Sequence, residues 1–225
     1  MKLILSFIVF FSALGIAQGQ FKEPENVSID ELMLDIQYTK EDPDELVMIW
    51  WIPLEFWEVS NAQDPTTSPE DFKALKAILE GYEIVAVVKG TIGYFGGINY
   101  EPKEDILKQI KVEYKGEELQ QVPQKKITGD LGNFFAMMQP MMVNMFGPMG
   151  ENMHFVFLEN NITSKVLPID SRKENDVTFT LGDFTKKVDL PLNSLLLEKK
   201  CPRDKQLHSG KWSYCPFHGT KLVSQ

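Results

Sequence analysis

Cysteine and histidine are scarce in this chain: two cysteines and three histidines among 225 residues. Two cysteines allow one disulfide at most. Imidazole bases are limited to His154, His208 and His218. The motifs of common nucleophiles and metalloproteases, G-x-S-x-G and H-E-x-x-H, are missing, as are the phosphate-loop and dinucleotide fingerprints. Basic residues are also in deficit, with 23 Lys and Arg against 32 Asp and Glu, a net charge of −9. So acidic a balance argues against nucleic acid and anionic membranes as partners. Beyond residue 16 no apolar run reaches the ~20 residues that a membrane-spanning helix needs.

The first apolar run is itself informative. Met1-Lys2 precedes apolar residues 3–16 and then Ala17-Gln18-Gly19. A positive start, a short hydrophobic stretch and a small-x-small ending predict a secretory signal peptide over residues 1–19. The expected destination is secreted or periplasmic, and loss of Lys2 takes the net charge to −10. Residues 20–225 suffice for one large domain, or for one domain plus an appendage, and 43% apolar residues can fill a sizeable core. Two glycosylation triplets, at Asn26 and Asn161, matter only in a glycosylating host.

Residues 20–31 are polar and read as a loose leader. Leu46 to Ile52 and Tyr82 to Val88 are continuous apolar runs suited to buried strands. Glu55 to Val59 reads as a short helix. Ser68-Pro69-Glu70-Asp71 combines a capping serine, proline at the first helical position and acid in the first turn, which predicts a helix over 69–80. The glycine-rich stretch 90–97 reads as a turn or bulge between strands. A short helix over 102–109 leads into a strand at 110–114. Two alternating runs around Gly182-Asp183 make a hairpin. The expected fold of residues 20–197 is therefore α+β and mainly antiparallel, with a sandwich bearing helices on one face as one form of it.

Seven of the ten methionines lie between residues 137 and 153. Thioether sulfur suits copper(I), and methionine also makes adaptable docking surfaces. Phe134, Met138, Met141, Met142 and Met145 fall on one helical face with Phe135 beside them, however, so core packing takes precedence over copper. Pro140 should kink or end that helix. His154 reads as a partly buried structural histidine.

The last 25 residues hold both cysteines in two copies of one pattern, Cys201-Pro-Arg-Asp204 and Cys215-Pro-Phe-His218. A Cys-Pro-x-ligand turn presents two donors to one ion, so the candidate zinc ligands are Cys201, Asp204, Cys215 and His218. Asp204 is the hardest of these donors, and His208 in the intervening loop is the alternative. Trp212 and Tyr214 are placed to pack over the second turn. A Cys201–Cys215 disulfide, worth roughly 3 kcal/mol for a loop of this length, is the competing use of the sulfurs. The prolines and the histidine three residues after Cys215 favour metal. Residues 201–222 resemble a zinc ribbon, in which two Cys-Pro-x-Cys-Gly knuckles close on one ion. Asp204 and His218 stand where that family has cysteines, and Lys205 stands where it has its first glycine.

The whole chain also resembles an uncharacterised group of exported bacterial proteins. Pro53-Leu-Glu-Phe-Trp57, Ile84-Val-Ala-Val-Val88, Gly147-Pro-Met-Gly150, Met153-His-Phe155 and the Cys-Pro ending carry that likeness. It implies export and a genuine knuckle, and no activity. The functional expectation is a non-enzymatic binding or structural protein with structural zinc in residues 198–225 and a protein as partner. No catalytic or cofactor residue is singled out. A hydrolase using carboxylates such as Asp30, Glu31, Glu55 and Glu58, or a copper-handling protein, is the alternative.

Overall fold

The computed structural model describes residues 20–64, 66–159 and 169–224, so the predicted signal peptide over residues 1–19 and the Asn161 triplet lie outside the described residues. The body begins with α1 (Ile29–Ile36), β1 (Gln37–Thr39), β2 (Glu45–Trp51), α2 (Leu54–Gln63), α3 (Pro69–Leu79), β3 (Glu83–Ile92) and β4 (Ile98–Tyr100). Next come α4 (Lys103–Gln109), β5 (Ile110–Tyr114), β6 (Glu117–Glu118), β7 (Gln120–Gln121), α5 (Gly129–Phe146) and α6 (Pro148–Glu151). Strands β8 (His154–Glu159), β9 (Asn175–Leu181) and β10 (Phe184–Leu190) complete it. The tail carries β11 (Lys199–Lys200), β12 (Leu207–His208) and β13 (Val223–Ser224).

The strands form three open sheets in which every described ladder is antiparallel. One has the order β1-β2-β3-β8-β7 with β4 hung on β3, the second β10-β9-β5-β6, and the third, in the tail, β12-β11-β13. The apolar runs explain the layering. Residues 47–51 of β2 and 83–88 of β3 are buried throughout, because both faces of the first sheet are covered. Trp51 and Tyr38 meet Phe179 of the second sheet, with ring centres 5.6 and 5.5 Å apart. On the opposite face Phe135 of α5 meets Phe155 and Phe157 at 4.6 and 5.0 Å, and Trp50 meets Phe56 of α2 at 5.5 Å. The body is thus two packed sheets with helices on one side, as the pattern predicts.

Local chemistry sets the helix starts. Ser68 accepts from the Asp71 amide at 3.1 Å and Pro69 opens α3, which ends just before Gly81. The hairpin of β9 and β10 turns at Gly182-Asp183 in the expected register. Gly93 to Gly97 form the β3–β4 turn, closed by Gly93 N–H donating to Gly97 O at 2.7 Å.

Three expectations change. Residues 20–31 are not loose: Gln20, Phe21 and Lys22 pair with residues 195–197, and Ser28 caps α1 by accepting from Glu31 N–H. Pro140 does not end α5, which runs on through it to Phe146. The proline removes the amide that would serve the Ala136 carbonyl, and Ala136 is exposed, so water can. The inward stripe of α5 is also rotated from the expected one. Leu131, Phe135 and Met142 are buried with Met138 packed beside them, while Met137, Met141 and Met145 face out at 70, 57 and 65% exposure. A stripe counted from Leu131 rather than Phe134 is turned by most of a right angle, which carries Met141 and Met145 into solvent.

Candidate metal centre

Two hairpins make the tail, and each bends through a knuckle of the same backbone. In the first, Lys205 N–H donates to Cys201 O and Cys201 N–H to Gln206 O, both at 2.9 Å. In the second, Gly219 N–H donates to Cys215 O at 2.9 Å and Cys215 N–H to Thr220 O at 2.8 Å. The residue after each potential ligand takes a left-handed backbone, Lys205 at φ 67° and Gly219 at φ 61°. Nothing lies within 4 Å of a Cβ placed on Gly219, so dihedral strain rather than space selects glycine there. Lys205 adopts the same conformation at a cost of about 1–2 kcal/mol.

The knuckles bring Cys201, Cys215 and His218 together, with one donor atom from each lying within 4.8 Å of the others, close enough to hold a metal ion. Both cysteines are free and buried. His218 Nδ1 lies 3.6 Å from Cys201 Sγ and 3.5 Å from Cys215 Sγ. Bond lengths of ~2.3 Å to sulfur and ~2.0–2.1 Å to nitrogen at tetrahedral angles put such donors about 3.5–3.6 Å apart. Asp204 Oδ2 is 3.4 Å from His218 Nδ1, again the edge of a tetrahedron, but it stands outside the group of three. His208 likewise touches one corner only, its Nε2 being 3.5 Å from Cys215 Sγ.

The surroundings favour ionised donors. Burial works against a Cys201 thiolate, yet the Asp204 amide, the Thr220 hydroxyl and the Arg203 amide outweigh it and bring the thiol down to about 7. Thr220 Oγ1 sits 3.5 Å from Cys201 Sγ, as His208 Nε2 does from Cys215 Sγ. Each sulfur therefore has one potential outer donor. The Gln206 amide, donating to Asp204 Oδ1 at 3.0 Å, leads the interactions that hold the Asp204 carboxyl below its ordinary range. The His208 ring stacks on Trp212 at 5.8 Å and tilts against Phe217 at 6.1 Å. Trp212 thus packs where expected, whereas Tyr214 is 61% exposed and does not. Ligand spacing does not point to Thr220; its place directly after the left-handed glycine is the only signal.

Of the four body carboxylates singled out in the sequence, Glu31, Glu55 and Glu58 are ion-paired, and Asp30 is exposed on α1 with no such partner among the described residues. Glu58 pairs with Lys76 at 2.7 Å and Arg172 at 3.5 Å, Glu55 with Arg172 at 3.7 Å, and Glu31 with Lys22 at 3.5 Å. None of Glu55, Glu58 or Glu83 lines the three clefts of about 430–460 Å³ in the described residues. Comparison of the chain with protein-family models, curated proteins and solved structures finds no match.

Proposed function

We propose that residues 198–225 close around one structural zinc ion bound by Cys201, Cys215, His218 and, at the fourth corner, Asp204. Thr220 and His208 then act as outer donors to the two sulfurs. The observation that carries this reading is the pair of sulfur–nitrogen separations at His218 Nδ1, which equal those of a tetrahedral zinc site. The repeated backbone supports Asp204, which occupies in the first knuckle the position His218 occupies in the second. Four protein donors leave no position for an activated water, so the ion serves stability. The protein is then an exported binding or structural protein whose small tail is held by metal, with export resting on the sequence of residues 1–19.

Elemental analysis and thiol counting on protein purified without a metal-binding tag test this. The expected result is one zinc per chain and two thiols after unfolding. A metal-free chain lighter by two hydrogens overturns it in favour of the disulfide. Among variants, Cys215→Ser and His218→Ala are expected to abolish stoichiometric zinc. Asp204→Ala should weaken binding more than His208→Ala, whose loss costs roughly 10–100-fold as an outer donor. Zinc retained by Asp204→Ala and lost by His208→Ala would exchange their roles.

A further inference from the structure

The tail differs from the body in charge as well as in scale. Residues 198–225 contain six cations and two carboxylates, a net +4, while residues 1–197 carry −13 of the total −9. In the described body, ten of fifteen Lys and Arg side chains lie within 4 Å of a carboxylate. Among the described residues no carboxylate comes that close to Lys199, Lys200, Arg203, Lys205, Lys211 or Lys221. An acidic protein with acid to spare thus leaves its tail cations without counter-charges.

Interleaved with these cations are exposed apolar side chains: Leu207, Trp212, Tyr214, Phe217 and Val223, between 46 and 76% accessible. In the tail sheet Leu207 and Val223 flank Lys200 in register, so aliphatic, cation and aliphatic share one face. At the knuckle tips Arg203 and Phe217 hold equivalent positions, each two residues after its cysteine. The tail meets the body at its base. Ser209 bonds Asn193, Lys211 donates to Asp189 O at 2.7 Å, and a Cβ on Gly210 would run into the Leu197 carbonyl. The two clefts at this junction are lined from the tail by Lys199, Gly210, Lys211 and Ser213 and by no residue of the knuckle loops.

We infer that the tail docks onto an anionic lipid surface, with Phe217 and its apolar neighbours entering the headgroup region and the cations away from the base, Lys200, Arg203, Lys205 and Lys221, meeting lipid phosphates. Basic residues near an anionic leaflet attract it, and aromatic side chains settle at the water–lipid boundary. The exposed aliphatics favour lipid over a nucleic acid or sugar chain, because bases and sugars stack on rings and gain little from Leu207 or Val223. None of the described clefts is lined by a knuckle residue, which favours insertion over the clasping of an acidic peptide. The acidic body does not forbid this, since charges more than about 10 Å from the surface are screened at physiological salt.

The test uses the chain from Gln20 onward, because apolar residues 3–16 would bind lipid by themselves. Sedimentation with vesicles of phosphatidylcholine alone is compared with equal parts phosphatidylcholine and phosphatidylglycerol, at rising salt. Binding is expected only to the anionic vesicles and should fall with salt. The double variant Lys205→Gly, Phe217→Ser removes one cation and one apolar tip while easing the Lys205 backbone. It should lose roughly tenfold or more in partitioning with its zinc content unchanged. Lys73→Gln with Lys125→Gln, which removes two unpaired body cations, should change nothing. Equal binding to both vesicle types, or none by zinc-loaded protein, overturns the inference. So does capture by polyglutamate or poly(dT) with vesicles ignored. The inference rests on a folded tail and hence on the zinc reading, and the metal content of the same sample separates the two. Metal-free protein that still binds anionic vesicles keeps the lipid surface and removes the zinc, whereas metal-free protein that ignores them removes both.

Discussion

Glu83 is the one fully buried carboxylate among the described residues, held between the two large sheets. Its oxygens accept from the Trp51 indole at 2.8 Å and the Ile169 amide at 3.2 Å. Burial nevertheless dominates and pushes its carboxyl up to about 8. The folded chain therefore keeps a proton that the unfolded chain releases above about pH 4.5. In that window the unfolded state binds fewer protons, so stability is greatest at acid pH and is lost as pH rises toward 8. The slope from this one group is at most about 1.4 kcal/mol per pH unit. Urea midpoints are expected to fall between pH 5.5 and 7.5 in the wild type. Glu83→Gln should lose most of that slope, at a cost of about 1–3 kcal/mol at acid pH because its amide nitrogen cannot accept from one of the two donors. A variant that keeps the full slope would place its origin elsewhere.

At the scale of elements, α5 shows how a periodic pattern can be right in kind and wrong in phase. Its methionines do form a helix, but the sheet receives the face through Leu131, Phe135, Met138 and Met142. Met142→Ala is expected to cost about 2–5 kcal/mol in thermal or urea unfolding, as removal of a buried side chain does. Met141→Ala, one residue away, should stay within about 0.5 kcal/mol because the side chain is mostly in solvent. Similar losses from both would restore the phase counted from Phe134. The N-terminal segment was illegible for another reason. Phe21 and Lys22 gain their order from pairing with residues 195 and 196, some 170 positions away, and no local pattern encodes such a partner.

At the scale of the molecule, two buried clusters divide the chain unequally. One spans both large sheets and the helices, and the other is Cys201, Cys215 and Leu222 alone. Three side chains cannot offset the ordering of 28 residues at roughly 1–2 kcal/mol each for the backbone, so on the zinc reading proposed above the ion supplies the remainder. Chelation is expected to abolish amide-exchange protection in residues 199–224 and to leave the β2–β3–β8 amides protected. Unchanged tail protection in metal-free protein would show that the knuckles hold without an ion.

The sequence by itself determined the strands at 46–52, 82–88 and 110–114, the helix after Ser68, the turn at Gly182 and the repeat of one Cys-Pro-x-x turn, because each is written in residues within one or two turns of chain. It also contained the opposite charges of body and tail, which the net figure of −9 conceals. Tertiary structure alone decided which face of α5 is buried, that Glu83 lies between sheets, and that His218 Nδ1 reaches both sulfurs while His208 and Thr220 each back one. Those outcomes depend on distances between residues far apart in the chain, and close packing, not local preference, sets them.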